Sequence, residues 1–332
     1  MRSCFDKKNR KLTGWRVLSL LLVLLWTIGQ FARDRTWLSG FLFYFPSPCL
    51  CGWLLTGALR NRRRSAWGMR YYLLLVIPPL FMVAVVENQW TTEQHEVESS
   101  ETPLRLMHWN VCHGLAGWDE QCQRLLAKNP DLFVVSEPPE NWSSASFPGY
   151  QCLPLNGMMV ACRGHLTLKS TSSLVEGGAL LAYEIDCDVA GKRIRIVAAD
   201  HTSSLRAHRN PSLQRMNLVL AKRKPHIIVG DFNAPRRSLA FSVLPEGFRH
   251  AYDECGSGWS YTWPVPIPVL AIDQCIIGPE VVAHRYELQS TTLSDHRLQL
   301  LDFSVQENPE REKLPRMIGQ QRRVISSTPG TE

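Results

Sequence analysis

The sequence has no CxxC pair: its ten cysteines fall at positions 4, 49, 51, 112, 122, 152, 162, 187, 255 and 275. That absence argues against a zinc site, whose thiolate ligands usually come in closely spaced pairs. Net charge is also missing from most of the chain. Residues 101–332 hold 24 Lys/Arg and 24 Asp/Glu, whereas residues 1–100 hold 13 against 6 and carry the whole excess of +7. A strongly basic nucleic-acid-binding domain is thereby disfavoured, although a local basic groove is not. Three apolar runs, residues 17–31, 37–59 and 71–86, contain no charged residue. A transport path lined by intramembrane charges has no support there. No small-x-small cleavage signature follows the first run, so a removed signal peptide is the weaker reading despite Lys7, Lys8, Arg10 and Lys11 before it.

The same runs show what is present. A helix needs about 20 apolar residues to cross a bilayer. The 37–59 run meets that length, and the other two borrow Gly14, Trp15 and Trp67 from their flanks. Pro79 can kink the third without forbidding it. Residues 1–87 are therefore expected to form a membrane region of about three spans. The second connecting loop carries Arg60, Arg62, Arg63, Arg64 and Arg70, and Glu87, Glu93, Glu96 and Glu98 follow the third run. The positive-inside rule then puts the N-terminus and second loop in the cytoplasm and everything after residue 87 on the outer face. Residues 88–103 are expected to be a polar linker, and 306–332 a disordered tail. Seven cysteines lie after residue 100. In an oxidising compartment Cys152 and Cys162 are the first pair to test for a disulfide, with buried free thiols as the alternative.

Between residues 104 and 305 the pattern changes to short apolar runs ending in polar residues, separated by helix-spaced stretches. LRLMHWN (104–110), LFVVSE (132–137), RIRIVAADH (193–201), HIIVGDFN (226–233), IDQCII (272–277) and LSDHRLQLLDF (293–303) read as strands or their approaches, while CQRLLAKNP and PSLQRMNLVLAKR have helical spacing. Polar groups recur at the strand ends: Asn110, Glu137, His201, Asp231, Asn233, Asp273, Asp295 and His296. Four carboxylates gathered at one sheet edge would repel one another, and a hard cation such as Mg²⁺ resolves the conflict. Two histidines and two asparagines beside it suit phosphate-ester hydrolysis. His108 and His113 flank Asn110 and are candidates to line the pocket, with strand alternation turning His108 away as the competing reading.

Taken in order, WN (109–110), SE (136–137), GDFN (230–233), YTW (261–263), ID (272–273) and SDH (294–296) resemble the motifs of the endonuclease/exonuclease/phosphatase superfamily, which includes DNase I. The whole architecture is similar to bacterial membrane-anchored members. The resemblance covers about residues 104–304. It implies a mixed α/β fold: N-terminal transmembrane helices followed by a DNase I-like four-layer α/β/β/α sandwich over 104–305. It further implies Mg²⁺, or Mn²⁺ in its place, held by Glu137, Asn110 and Asp295. Asp231 would activate water, Asn233 would hold a phosphate oxygen, His296 paired with Asp273 would contact the phosphate, and His201 would stand near the leaving group. The sequence departs from the family pattern at Gln274 and at Asp200, just before His201. Arg206, Arg209 and Trp263 are expected to meet substrate. The implied substrate is a phosphate ester: a lipid headgroup, a small ester or a nucleic acid. No obligate protein partner is implied. The expected location is the bacterial inner membrane, multi-pass, in contact with membrane lipids and with catalysis on the periplasmic side. Competing readings are a nuclease and a non-catalytic membrane scaffold; the scaffold predicts loss of ligand residues.

Overall fold

A computed structural model describes residues 2–90, 102–170, 173–175 and 177–306. The centre of the expected linker (91–101) and the expected tail (307–332) lie outside the described residues. The chain begins with a long helix, α1 (Arg2–Ala32), followed by α2 (Trp37–Phe43), α3 (Ser47–Asn61), α4 (Ala66–Leu75) and α5 (Ile77–Phe81), which runs into a π-helical turn, Met82–Glu87. The stretch Gly14–Ala32 is long and apolar enough to cross a membrane. The second and third runs are broken. α2 and α3 meet at 53°, and α4 meets the segment Ile77–Glu87 at 41°. Proline explains both bends. Pro46 and Pro48 cannot continue α2 but fit the start of α3, and Pro78 and Pro79 fit the first turn of α5.

The helices run antiparallel and define two ends. At one, Tyr71 Oη donates to Arg16 O, and Gly68 packs against Asn61 and Arg16. The exposed Arg62, Arg63 and Arg64 lie there. At the other, Ser47 Oγ donates to Glu87 Oε1 at 2.9 Å. Apolar residues on the flanks stay exposed, including Leu21, Leu24 and Ile28.

From residue 104 the alternating runs build two six-stranded sheets. One has the order β11 (Val281–Gln289), β12 (Leu298–Val305), β1 (Leu104–Asn110), β2 (Leu132–Ser136), β4 (Met158–Cys162), β3 (Gln151–Leu155). The other runs β5 (His165–Leu168), β6 (Leu180–Val189), β7 (Lys192–His201), β8 (Ile227–Asp231), β10 (Asp273–Ile277), β9 (Arg249–His250). Leu104, Leu106, Leu132, Val134, Ile194, Ile196, Ile227, Val229, Cys275 and Ile277 form the core between the sheets. Met107, Trp109, Phe133 and Val135 pack outward around Cys122 and Leu125 of α6 (Trp118–Leu126). Val197, Ala199 and Ile228 pack outward around Leu213, Met216 and Leu220 of α7 (Arg209–Arg223). Both faces of the central strands are thus buried. Near-continuous apolar runs follow from that, and the result is the expected four-layer α/β/β/α sandwich.

Cys152 and Cys162 are unbonded, as are the other described cysteines. Cys152 stands opposite Ala161, and Cys162 opposite Gln151. The one-residue offset turns the two thiols to opposite faces: Cys162 joins the inter-sheet core and Cys152 the outer layer. The expected linker also begins as packed structure. Asn88 is buried, and Gln89 bridges Gly258.

Candidate active site

Strand alternation selects which side chains meet. In β1 the inward positions are 104, 106, 108 and 110; in β7 they are 194, 196, 198 and 200; in β8, 227, 229 and 231; in β10, 273, 275 and 277. The last inward residue of β1, β7 and β8, and the first of antiparallel β10, are therefore Asn110, Asp200, Asp231 and Asp273. In the second sheet Asp231 stands opposite both Asp200 and Asp273. The GDFN sequence has a local reason. A Cβ at Gly230 would fall 1.7 Å from Ala199 O, so only glycine lets β8 approach β7 there. Asn233 takes a left-handed conformation (φ 48°), and its N–H donates to Asp231 Oδ1 at 2.8 Å. That turn suits asparagine and orients the aspartate.

One half of the cluster is buried and held by short contacts, although Asp273 Oδ1 has no hydrogen-bond partner. His296 Nδ1 is 2.9 Å from Asp273 Oδ2, and its Nε2 is 3.9 Å from Asp231 Oδ2. Asn110 Nδ2 donates to Asp231 Oδ2 at 3.0 Å. His108, a candidate to line the pocket, lies on Asn110's own face. It sits 4.0 Å from Asp273 and is fixed by Ser136 Oγ and Gln299 Nε2. Residues 108 and 110 are two apart, so alternation places them together. Burial alone would lower the His296 imidazole, but Asp273, Asp231 and Asp295 outweigh it and push it up to about 10. Burial, with Asp273 beside it, raises Asp231, and His296 draws it part of the way back. Burial also acts to raise Asp273, but the attraction and hydrogen bond of His296 leave it lowered. Asp231, Asp273 and His296 lie close enough to share a metal ion. A protonated imidazole has no lone pair to offer, so the trio is better suited to holding a proton.

The other half lies at the rim and is short of partners. Glu137 sits in a left-handed backbone conformation (φ 52°), a strained state for this residue. Its N–H is tied to Gly157 O and its carbonyl to His113 N. Its carboxylate is 3.3 Å from the exposed His113 imidazole. Asp295 Oδ2 accepts from Trp263 Nε1 at 2.9 Å, while Asp295 Oδ1 is buried without a partner. Asp200 is pushed up to about 8 by burial, then by Asp231, Glu137 and Asp273. Crowded carboxylates, one with an orphaned oxygen, are the hard-oxygen donor set that a divalent cation satisfies.

The expected residues do not all join. His201, adjacent to Asp200, faces outward. Its Nε2 is 2.7 Å from Ser212 Oγ on α7, and burial lowers it to about 4. It supports the site through its backbone, whose carbonyl accepts from Asn233 Nδ2 at 2.8 Å. Arg209 is buried. It donates to Thr202 O and Ser204 O and lies over the Tyr44 ring, contacts that tie it to the loop and keep it from solvent. Arg206 is exposed on that loop. Trp263 does stand at the site, through Asp295. Gln274 donates to Ala234 O and Ala271 O and so braces the loops carrying Asn233 and Asp273. Sequence reasoning left Asp200 without a role and His108 undecided. Counting by twos from the core residues of each strand would have placed both.

No curated protein matches this chain in sequence. Solved structures resemble the sandwich. An AP endonuclease from Archaeoglobus fulgidus shares 16% identity over 60-odd per cent of this chain, at 61%, and 100% of its own, with TM-score 0.49. A mannosyl-6-phosphatase from Bacteroides thetaiotaomicron shares 15% over 60% of this chain and 99% of its own, with TM-score 0.48. A 3′ phosphatase from Neisseria, bound to a product DNA hairpin, shares 16% over 60% and 99%, with TM-score 0.47. The sequence model of the Endonuclease/Exonuclease/phosphatase family matches residues 107–296, which span every strand-end residue described above. This chain belongs to the endonuclease/exonuclease/phosphatase family.

Proposed function

We propose that the chain is a membrane-anchored hydrolase of phosphate esters that works with a divalent cation, Mg²⁺ or Mn²⁺. The observation that carries this reading is the Asp273–His296–Asp231 arrangement beside the crowded rim carboxylates Glu137, Asp200 and Asp295. Glu137, Asn110 and Asp295 would hold the cation, with Asp200 beside them. The cation would offset negative charge on the phosphate oxygens. Asp231, raised by its burial and aligned by Asn110 and Asn233, accepts a proton from the attacking water. His296, kept protonated by Asp273, stabilises charge developing on the phosphoryl group. Asn233 spends one Nδ2 hydrogen on His201 O and has a second for a phosphate oxygen.

The membrane reading extends the N-terminal helix. Counting each bent pair as one span gives three crossings. The exposed Arg62, Arg63 and Arg64 then lie opposite the sandwich, which supports placing the catalytic domain on the outer face. The test is the detergent-purified full chain with bis-p-nitrophenyl phosphate, plasmid DNA, inositol phosphates and phospholipids, in Mg²⁺, Mn²⁺ or EDTA. Cation-dependent turnover lost in Asp231→Asn is expected. No turnover of any substrate, with no Mg²⁺ binding by calorimetry, would return the chain to the scaffold reading.

A further inference from the structure

The catalytic edge of the sandwich is the edge that meets the helical unit. The ends of β7, β8 and β10 carry Asp200, Asp231 and Asp273, and the loops that leave β7 and β8 and enter β10 there make the contacts. His208 Nε2 lies 2.9 Å from Asp34 O, and Leu239 N–H donates to Asp34 Oδ1 at 2.8 Å. Arg237 donates to Gln30 Oε1 at 2.9 Å, and Arg236 to Glu87 O at 2.7 Å. Ser260 N–H donates to Asn88 Oδ1 at 2.6 Å. Asp34 lies two residues after α1 and Glu87 ends the last helical segment, so the strand-end residues sit on the side where the apolar helices stop.

The rim there is apolar. After its 53° bend from α3, α2 lies along the β7–α7 loop, with Trp37 Nε1 donating to Leu205 O at 3.1 Å. Trp37, Leu38, Phe41, Phe45 and Leu205 are all exposed, Leu38 and Leu205 by 67% and 66%. Two further loops of the same edge end in exposed apolar tips, Leu115 at 80% and Ile267 at 74%. Arg35 and Arg206 stand exposed beside the α2 rim. Aromatic and aliphatic side chains with nearby arginines suit the headgroup boundary of a bilayer. Continuity with the Gly14–Ala32 helix makes that bilayer the one in which the chain itself sits.

We infer that the substrate is a phospholipid of that bilayer, hydrolysed at its headgroup phosphate while the apolar rim rests in the interface. The inference rests on the phosphoesterase reading above. In the step, the water oxygen forms a bond to phosphorus, one P–O ester bond breaks, and the departing alcohol oxygen takes a proton. The products are a phosphate monoester and an alcohol.

The experiment reconstitutes the full chain into vesicles of phosphatidylglycerol and phosphatidylethanolamine with Mg²⁺, and follows lipid products by mass spectrometry. Bis-p-nitrophenyl phosphate is assayed in parallel as a soluble diester, with the Leu38→Ser/Leu205→Ser double variant and Asp231→Asn. The expected result is lipid turnover that falls about tenfold in the double variant, from withdrawal of two apolar side chains from the interface. Turnover of the soluble diester stays unchanged in that variant, and Asp231→Asn loses both activities. Soluble turnover without lipid turnover would overturn the inference and leave the phosphoesterase reading standing. An equal loss on both substrates in the double variant would reduce the rim to a structural role and overturn it as well. Turnover of neither substrate would remove the phosphoesterase reading and the inference with it.

Discussion

The two halves of the cleft are built from the same residue types and treated oppositely by the fold. Around Asp273 and His296, the carboxylates are buried and each is hydrogen-bonded through at least one oxygen to a fixed partner. Around Glu137, Asp200 and Asp295, they are partly exposed, crowded and short of donors. Position explains the difference. Asp273 and Asp231 are terminal inward residues of adjacent central strands and are buried, whereas Asp200, which ends the neighbouring β7 in the same way, is half-buried. Glu137 and Asp295 lie in the loops just beyond the strands. A buried ionic network tied by several hydrogen bonds holds its geometry, whereas a half-exposed, crowded rim invites a ligand. The inner half therefore fixes where a proton goes, and the outer half leaves room for a cation.

The largest expected effect comes from breaking the inner half. Asp231→Asn keeps the shape but removes the proton acceptor, and should lower kcat by about a thousandfold or more. Extra Mg²⁺ should not restore it. Glu137→Gln attacks the outer half. It should also depress turnover, but with a rise in the Mg²⁺ concentration needed for half-maximal rate. A metal titration of the two variants separates the halves, and identical titrations would merge them.

pH sharpens the comparison through two groups. His296 is pushed up to about 10 in the folded state. Its contribution to stability is complete below the unfolded imidazole value of about 6.5 and is lost as pH rises to 10. His296→Gln should flatten that alkaline loss in thermal melts. Asp200, pushed up to about 8, acts between about 4 and 8, where the folded chain keeps a proton that the unfolded chain gives up. Each pH unit in that window costs stability. Asp200→Asn in EDTA should therefore raise the melting temperature more at pH 8 than at pH 5. An equal gain at both would mean that the rim carboxylates do not crowd.

The smallest effect is expected just outside the cleft. His201→Ala removes a buried imidazole–hydroxyl bond facing α7, at a cost of roughly 1–3 kcal/mol of stability. The folded fraction should keep kcat within a few-fold. A thousandfold loss in folded protein would put His201 back among the catalytic groups.

Much of this was legible in the chain. The runs at 104–110, 132–137 and 272–277 read as strands and form β1, β2 and β10 within a residue of their ends. The order of Asn110, Glu137, Asp231, Asn233, Asp273 and His296 was enough to place the family. The errors have two causes. Asp200 and His201 are neighbours in sequence but face opposite sides of the sheet, and a histidine attracts more notice than an extra aspartate. Arg209 looked like an anion ligand, whereas the docked α2 claims it through Tyr44. Contacts between segments far apart in sequence leave no local pattern. The strands β3, β5 and β9 are short and flank the motifs without carrying them, which kept them out of the sequence reading.

The most direct test of the account is hydrolysis of bis-p-nitrophenyl phosphate by the detergent-purified full chain, titrated with Mg²⁺ after EDTA treatment, beside Asp231→Asn. The account predicts turnover that appears with Mg²⁺, saturates, and is absent from the variant at every concentration. Turnover that persists in EDTA, or survives in Asp231→Asn, would contradict it.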